Sequence, residues 1–312
     1  MRAVTIHDGE LAVAERPDPE PGKGELLVRV RAAGLNGADM LQRQGRYPAP
    51  PGSPEDIPGL ELAGEVAELG PGVTRFGGGE RVMAILGGGG QAELALLHER
   101  AAMPVPEGLD WPAAGGFAEV FTTAHDALFT QAGLGPGERL LVHGGAGGVG
   151  TAAVQLAIAA GARVVATVRD EELRGEVEAL GATAVGTEGF SDHGPFDVVL
   201  ELVGAPNMGE NVKALATGGR IVVIGVGAGG KAELSLVALM GKRGRVQGST
   251  LRARSLEEKA QAMRAVERHV LPLLEAGAVR VPVAETFPLD RAADAYDRFA
   301  AGRKLGKIVL VA

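Results

Sequence analysis

The sequence predicts an α/β chain in two parts, an irregular β-barrel interrupted by an inserted, doubly wound parallel sheet. Three observations carry this. From Arg139 to Gly225, near-continuous apolar strands alternate with helical stretches, as a parallel sheet covered on both faces requires. Residues 1–112 read instead as short strands punctuated by Gly and Pro. The final strand, Lys307-Ile-Val-Leu-Val311, needs a sheet to join and is placed with the barrel. The expected domains are therefore 1–116 and 267–312 for the barrel and 117–266 for the insertion.

Each element follows from its local pattern. Arg2–Ile6 and Leu11–Val13 alternate, Pro17–Gly24 is a Pro/Gly loop, and Glu25–Arg31 is a longer strand. Arg43–Pro58 carries five prolines and is expected as a surface loop leading into the strand Leu60–Val66. Trp111–Ala132 is predicted helical, Arg139–Val142 a strand, Thr151–Ala160 a helix, Arg163–Val168 a strand and Glu171–Leu180 a helix. Phe196–Leu202 and Arg220–Gly225 are apolar strands with a helix at Gly209–Ala216 between them. A helix at Leu256–Ala276, a strand at Val279–Val283 and a helix at Leu289–Ala301 precede the last strand.

Composition narrows the function. A chain of 312 residues with net charge -8 offers no basic footprint for nucleic acid. No apolar run approaches the ~18 residues of a membrane span, and the acidic, alternating start does not resemble an export signal, so a cytoplasmic protein is expected. With no cysteine, disulfides, thiol nucleophiles and Cys-ligated zinc are excluded.

The stretch Glu138–Leu156 carries the chemistry. A strand, then Gly145-x-Gly147-x-x-Gly150, then an Ala-rich helix is the context of a dinucleotide-binding turn. One glycine allows a tight reversal, the next lets backbone approach a pyrophosphate, and the last lets helix lie on strand. The amides of Gly145, Ala146, Gly147, Gly148, Val149 and Gly150 are the expected pyrophosphate cradle. The residue that reads the adenosine ribose falls at the end of the second strand, on Arg169 with Asp170 beside it. A cation suits a 2′-phosphate, so NADPH is favoured over NADH, with Arg174 as a second candidate. Asp170 either faces the ribose, which reverses the preference, or caps the next helix. Gly225 and Val226 end a strand where such sheets present ligands.

At this point the sequence resembles the zinc-independent quinone oxidoreductases, the zeta-crystallin-like branch of the medium-chain dehydrogenase/reductase superfamily. The resemblance spans the chain: Gly34–Asp39, Arg43–Tyr47, Pro58–Gly64, Gly88–Ala92, Thr123-Ala124, Gly144–Gly150 and Gly306–Leu310. It implies that the barrel is GroES-like, that the insertion is a Rossmann domain with the cofactor in the cleft between lobes, and that the protein is a homodimer through the Rossmann domain. Where zinc-dependent relatives carry a ligating Cys and His, this chain has Asn36 and Leu60, and Glu119 stands near the third ligand's place. No zinc is therefore expected. Without a Lewis acid, a quinone or α,β-unsaturated carbonyl is a better acceptor than a simple ketone, because conjugation spreads the developing charge. Hydride transfer and single-electron transfer are equally compatible with the sequence.

Through the same resemblance, Tyr47 faces the substrate carbonyl or is a loop tyrosine packed on prolines. Asn36 holds the nicotinamide ribose or carboxamide, or serves as a turn residue or helix cap. Thr123 hydrogen-bonds the carboxamide or its own helix backbone. Lys307 returns to the cleft or is a solvated strand-end lysine. Glu61 is expected in a structural ion pair, Glu119 lining the pocket, His125 in the helix surface or core, His143 beneath the cofactor, and Lys242–Arg245 as a solvated turn. The competing readings are an NADPH-binding protein without turnover, and a CoA- or carrier-linked enoyl reductase, which needs a basic entry groove for which Arg43, Arg46 and Arg75 are the candidates.

Overall fold

A computed structural model describes all 312 residues. In chain order the barrel region supplies β1 (Arg2–His7), β2 (Glu10–Glu15), β3 (Glu25–Gly34), α1 (Gly37–Arg43), β4 (Glu61–Leu69), β5 (Arg81–Ile85), β6 (Leu94–His98), β7 (Ala102–Pro104), α2 (Trp111–Gly115) and α3 (Ala118–His125). A π-helical turn, Asp126–Gln131, leads into β8 (Arg139–Val142), α4 (Gly148–Ala159), β9 (Arg163–Thr167), α5 (Arg174–Glu178) and β10 (Thr183–Val185). β11 (Phe196–Glu201), α6 (Met208–Ala214), β12 (Leu215–Val223), α7 (Leu236–Lys242) and β13 (Arg245–Gly248) follow. The chain ends with α8 (Leu256–His269), α9 (Leu271–Glu275), β14 (Val283–Pro288), α10 (Ala292–Ala301) and β15 (Lys307–Val311).

These elements divide into two compact units. The first comprises Met1–Thr122, Leu251–Gly302 and Lys307–Ala312; the second comprises Thr123–Thr250 and Arg303–Gly306. In the first unit, one sheet runs β14-β15-β3-β4-β5-β7, with β6 also paired to β3. β15 lies antiparallel to β3, so the last strand joins the barrel as its sequence predicts. Alternate residues of the barrel strands, including Leu26, Val28, Leu62, Val66, Val82 and Leu97, fill its interior. A second cluster packs Tyr296 and Phe287 against Leu35, Ile308 and Leu310. The β1–β2 hairpin turns on Asp8 and Gly9, both at positive φ, the backbone an Asp-Gly pair favours.

The second unit is a six-stranded sheet in the order β10-β9-β8-β11-β12-β13 with every pair parallel. Counted by appearance this is the Rossmann order, and it reverses between β8 and β11. Leu141, Val199 and Ile221 meet Phe190, Phe196 and Val212 in its core. The architecture is thus a GroES-like barrel and a Rossmann-like parallel sheet. No helix is long and apolar enough to cross a membrane.

Three local expectations are corrected. Trp111–Ala132 is not one helix: α2 ends at Gly115, where a Cβ would lie 2.5 Å from that of Ala32, so glycine is needed for α2 to rest on β3. The strand expected at Val279–Val283 begins at Val283, because Pro282 offers no N–H to a ladder and uses its carbonyl to accept from Lys307 N–H. The helix expected over Leu256–Ala276 breaks at Val270, with Pro272 opening α9.

Candidate active site

In the Rossmann unit the glycine turn sits where the strand order reverses. α4 begins at Gly148 with Gly147 as N-cap, so the amides of Gly148, Val149 and Gly150 form its first turn and have no intrahelical acceptors. A Cβ on Gly150 would collide with Gly144 O and lie 2.9 Å from Gly145 Cα, and one on Gly145 would lie 2.7 Å from Ala166 Cβ. These two glycines let turn, helix and β9 close on one another. Gly147 differs: its added Cβ would meet nothing nearer than Gly144 O at 3.4 Å, which leaves its outer face open. The cradle fits a pyrophosphate resting on N–H groups at a helix start. Ala146 closes the turn by accepting from Gly306 N–H at 2.8 Å.

Beneath the turn lies a buried polar chain. Glu201, at the end of β11 and fully buried, accepts from Val203 N–H (2.7 Å), Gly204 N–H (2.8 Å) and Asn211 Nδ2 (2.7 Å). Since the Asn211 amide donates there, its Oδ1 accepts from His143 Nε2 at 2.7 Å, and His143 Nδ1 faces the Thr167 hydroxyl at 3.1 Å. Thr167 Oγ1 in turn accepts from Gly144 N–H at 3.2 Å. Burial holds the imidazole pKa below its usual value, opposed by the Glu201 charge and the Asn211 bond, so the ring is neutral. His143 thus lies under the turn, and the chain of bonds ties the first glycine to a buried carboxylate.

At the end of β9, Arg169 is exposed and makes no ion pair. Asp170 is committed elsewhere: it accepts from Glu172 N–H at 3.2 Å as a helix cap and lies 3.8 Å from Arg303. Arg174 pairs with Glu171 at 3.2 Å. Gly225 lies just past β12, where a Cβ would strike Leu202 O, and the neighbouring Val226 is exposed. Thr123 is buried in α3, and His125 is buried beside Phe129.

In the barrel unit the predicted residues converge on a buried cation. Lys307 Nζ donates to Leu35 O (2.6 Å), Asn36 Oδ1 (2.8 Å) and Glu61 Oε1 (2.6 Å), with Lys307 2 % exposed and Glu61 0 %. The solvated alternative for Lys307 is thereby excluded, and Glu61 is in the expected ion pair. Asn36 is the N-cap of α1 and forms a capping box with Asp39, while its Nδ2 donates to Glu61 Oε1 (3.0 Å) and Gly34 O (3.2 Å). Asp39 accepts from Asn36 N–H and Gly59 N–H, and burial raises its pKa to about 6. Glu61 Oε2 accepts from Glu119 N–H at 2.9 Å. Burial, then the Glu61 charge, pushes the Glu119 carboxyl up to about 8, so it holds a proton at neutral pH. Tyr47 is half-buried under the Arg252 guanidinium (5.0 Å), and Arg252 also donates to Tyr47 O, Gly87 O and Gln42 Oε1.

Residues 22–132 match the family described as "Alcohol dehydrogenase GroES-like domain", and residues 178–310 match "Zinc-binding dehydrogenase". The quinone oxidoreductase of Rattus norvegicus is 32% identical over 100% of this chain and 98% of its own length. The chain belongs to the quinone oxidoreductase branch of the medium-chain dehydrogenase/reductase superfamily. Among solved structures, the quinone oxidoreductase from Thermus thermophilus, solved also as its complex with NADPH, is 33% identical with a TM-score of 0.86, both chains being fully covered. An NAD-dependent alcohol dehydrogenase is 29% identical over both full chains with a TM-score of 0.85. The protein is an NAD(P)-dependent oxidoreductase.

The second family's description implies zinc, and the donor chemistry here does not fit it. Leu60 is core at 1 % exposed, Asn36 is engaged through both amide atoms, and an ammonium group already sits on the Glu61 carboxylate. Sequence reasoning missed Arg252, Asn211 and Glu201. A charge ending the apolar strand Phe196–Glu201 was a readable sign for the last. Nothing local distinguishes Arg252 from Arg254.

Proposed function

We propose that this oxidoreductase is NADPH-dependent, works without zinc, and reduces quinones or α,β-unsaturated carbonyls. The observation that carries the reading is the Lys307–Glu61–Asn36 cluster, a tethered cation among the oxygens where zinc-dependent relatives hold their metal. With no Lewis acid to hold an alkoxide, the acceptor must absorb charge through its own conjugation. The names of its relatives point to the same substrate class.

The chain's residues divide the work. The Gly145–Gly150 turn, with Ala146, Gly148 and Val149, seats the pyrophosphate, and Arg169 with Arg174 receives the 2′-phosphate, a preference supported by the commitment of Asp170 to its cap. Gly225, Val226 and Thr123 complete the cofactor site. When bound, NADPH supplies the reducing equivalents. Asn36, held by Lys307 and Glu61, orients the nicotinamide end, and the Tyr47 hydroxyl hydrogen-bonds the substrate carbonyl. Glu119, protonated at neutral pH, keeps the site free of a second negative charge beside Glu61.

The test follows NADPH oxidation against a panel of benzoquinones, naphthoquinones and free enones, with acyl-CoA enones and NADH as comparisons. Oxidation by quinones or free enones is expected, with NADPH preferred over NADH by at least about tenfold in kcat/KM, or ~1.4 kcal/mol. A bound but never oxidised cofactor, a preference for acyl-CoA, or loss of activity with a zinc chelator would each sink it.

We further infer a homodimer through the Rossmann unit. β13 is the outer strand of its sheet, and the preceding α7 exposes Leu236, Val237 and Met240 at 67%, 81% and 75%. Sedimentation of Val237→Asp should give a monomer; an unchanged dimer would place the interface elsewhere.

A further inference from the structure

A second concave site lies within the barrel unit, lined by none of the residues named above as catalytic or cofactor-binding. α8 places Glu257, Gln261, Arg264, Ala265 and Arg268 at three- and four-residue spacings, hence on one face. With Arg75, Arg100 and His269, that face lines a pocket of about 310 Å³.

Its charges do not cancel. Arg100 pairs with Glu257 at 2.6 Å and Arg75 with Glu267 at 3.2 Å, while Arg264 shares Glu267 and also donates to Ala102 O. Arg268 is exposed and takes no ion-pair partner. Four guanidinium groups thus stand against Glu257 and Glu267, with Glu99 also held beside Arg75, which leaves an excess of one positive charge over the carboxylates on a chain whose net charge is -8. The arginines also repel one another, since Arg75 and Arg100 both help to hold the Arg264 pKa below its usual value, after burial. If ion pairing that fastens α8 to β7 were the whole purpose, Arg268 would be superfluous. Guanidinium forks from separate elements match the oxygens of a phosphate, and a multiply charged anion would relieve the repulsion.

We propose that the pocket lined by Arg75, Arg100, Arg264 and Arg268 binds a phosphate-bearing small molecule with at least two negative charges, separately from the dinucleotide turn. The shared chemistry is a diphosphate, whether free or carried by a coenzyme such as coenzyme A.

The experiment is calorimetric titration of the protein saturated with NADP⁺, so that the glycine turn cannot report, using sodium pyrophosphate in one arm and coenzyme A in the other. Pyrophosphate should bind, Arg268→Ala and Arg100→Ala should each weaken it by about tenfold (~1.4 kcal/mol), and Arg268→Lys should recover part of the loss. NADPH oxidation should be unchanged in Arg268→Ala, and its melting curve should match the parent's. Tighter, Arg268-dependent binding of coenzyme A identifies a coenzyme as the source, and equal affinity identifies free diphosphate. No heat up to ~10 mM pyrophosphate, weaker than any specific site at the millimolar scale, overturns the proposal. So does binding that survives Arg100→Ala combined with Arg268→Ala.

Discussion

Replacing Lys307 with Met removes the buried ammonium while keeping the side chain's length. Its three acceptors, Leu35 O, Asn36 Oδ1 and Glu61 Oε1, lose their donor together, and Glu61 is left fully buried with no cation. Breaking a buried pair from one side costs about 3–5 kcal/mol, because the remaining charge is uncompensated. That is a large share of the roughly 5–15 kcal/mol that holds a folded unit together. Trp111, the single tryptophan, lies in α2 of the barrel unit beneath the Arg81 guanidinium at 4.2 Å, so its fluorescence reports this unit during urea unfolding. Adding Glu61→Gln should restore roughly 2 kcal/mol, since the stranded charge disappears. A loss under about 1 kcal/mol would refute the account of Lys307 as counter-ion to a buried carboxylate.

The remaining predictions address the two units separately. Gly147→Ala should fold normally but bind NADPH at least about tenfold more weakly, whereas Gly150→Ala should lose stability as well, its Cβ striking Gly144 O; calorimetry with thermal melts separates them. Arg169→Asp should raise the NADPH dissociation constant far more than that of NADH, and equal changes would place the phosphate elsewhere. Tyr47→Phe should lower turnover more than cofactor affinity, and an unchanged rate would remove the hydroxyl from the reaction. Glu119, held at about 8, keeps in the folded state a proton that the unfolded chain releases, so the parent loses stability as pH rises from 6.5 to 8. Glu119→Gln should flatten that slope by roughly 1–2 kcal/mol in urea melts at the two pH values.

How legible the fold was depended on the range of the interaction that decides each element. β8 is set by four apolar-rich residues beside a glycine turn, and Arg139–Val142 is what the pattern predicts. The helix after Trp111 splits at Gly115-Gly116, and Gly115 must be glycine there because it lies against Ala32, a contact no local periodicity encodes. The same holds at the site. The glycine cradle is local and was readable, but Asn36 meets Glu61 across 25 positions and Lys307 across 271, so their union appears only when β3, β4 and β15 come together. Asn36 and Lys307 were each singled out, with their joint purpose hidden. Arg252 and Asn211 carried no pattern because their partners are backbone carbonyls and a side chain brought near by folding.

The position of β15 bears on the order in which the molecule is made. The barrel sheet needs residues 307–311 between β14 and β3, and Glu61 needs the ammonium that opens that strand. On the ribosome, nearly all of the Rossmann unit has emerged by Thr250, while residues 1–122 wait for residues 307–311 with an unfilled strand position and a stranded acid. The unit begun earlier is therefore completed later, and a stalled or clipped nascent chain lacking residues 307–312 should be held by chaperones through the barrel half, with residues 123–250 already resistant to protease.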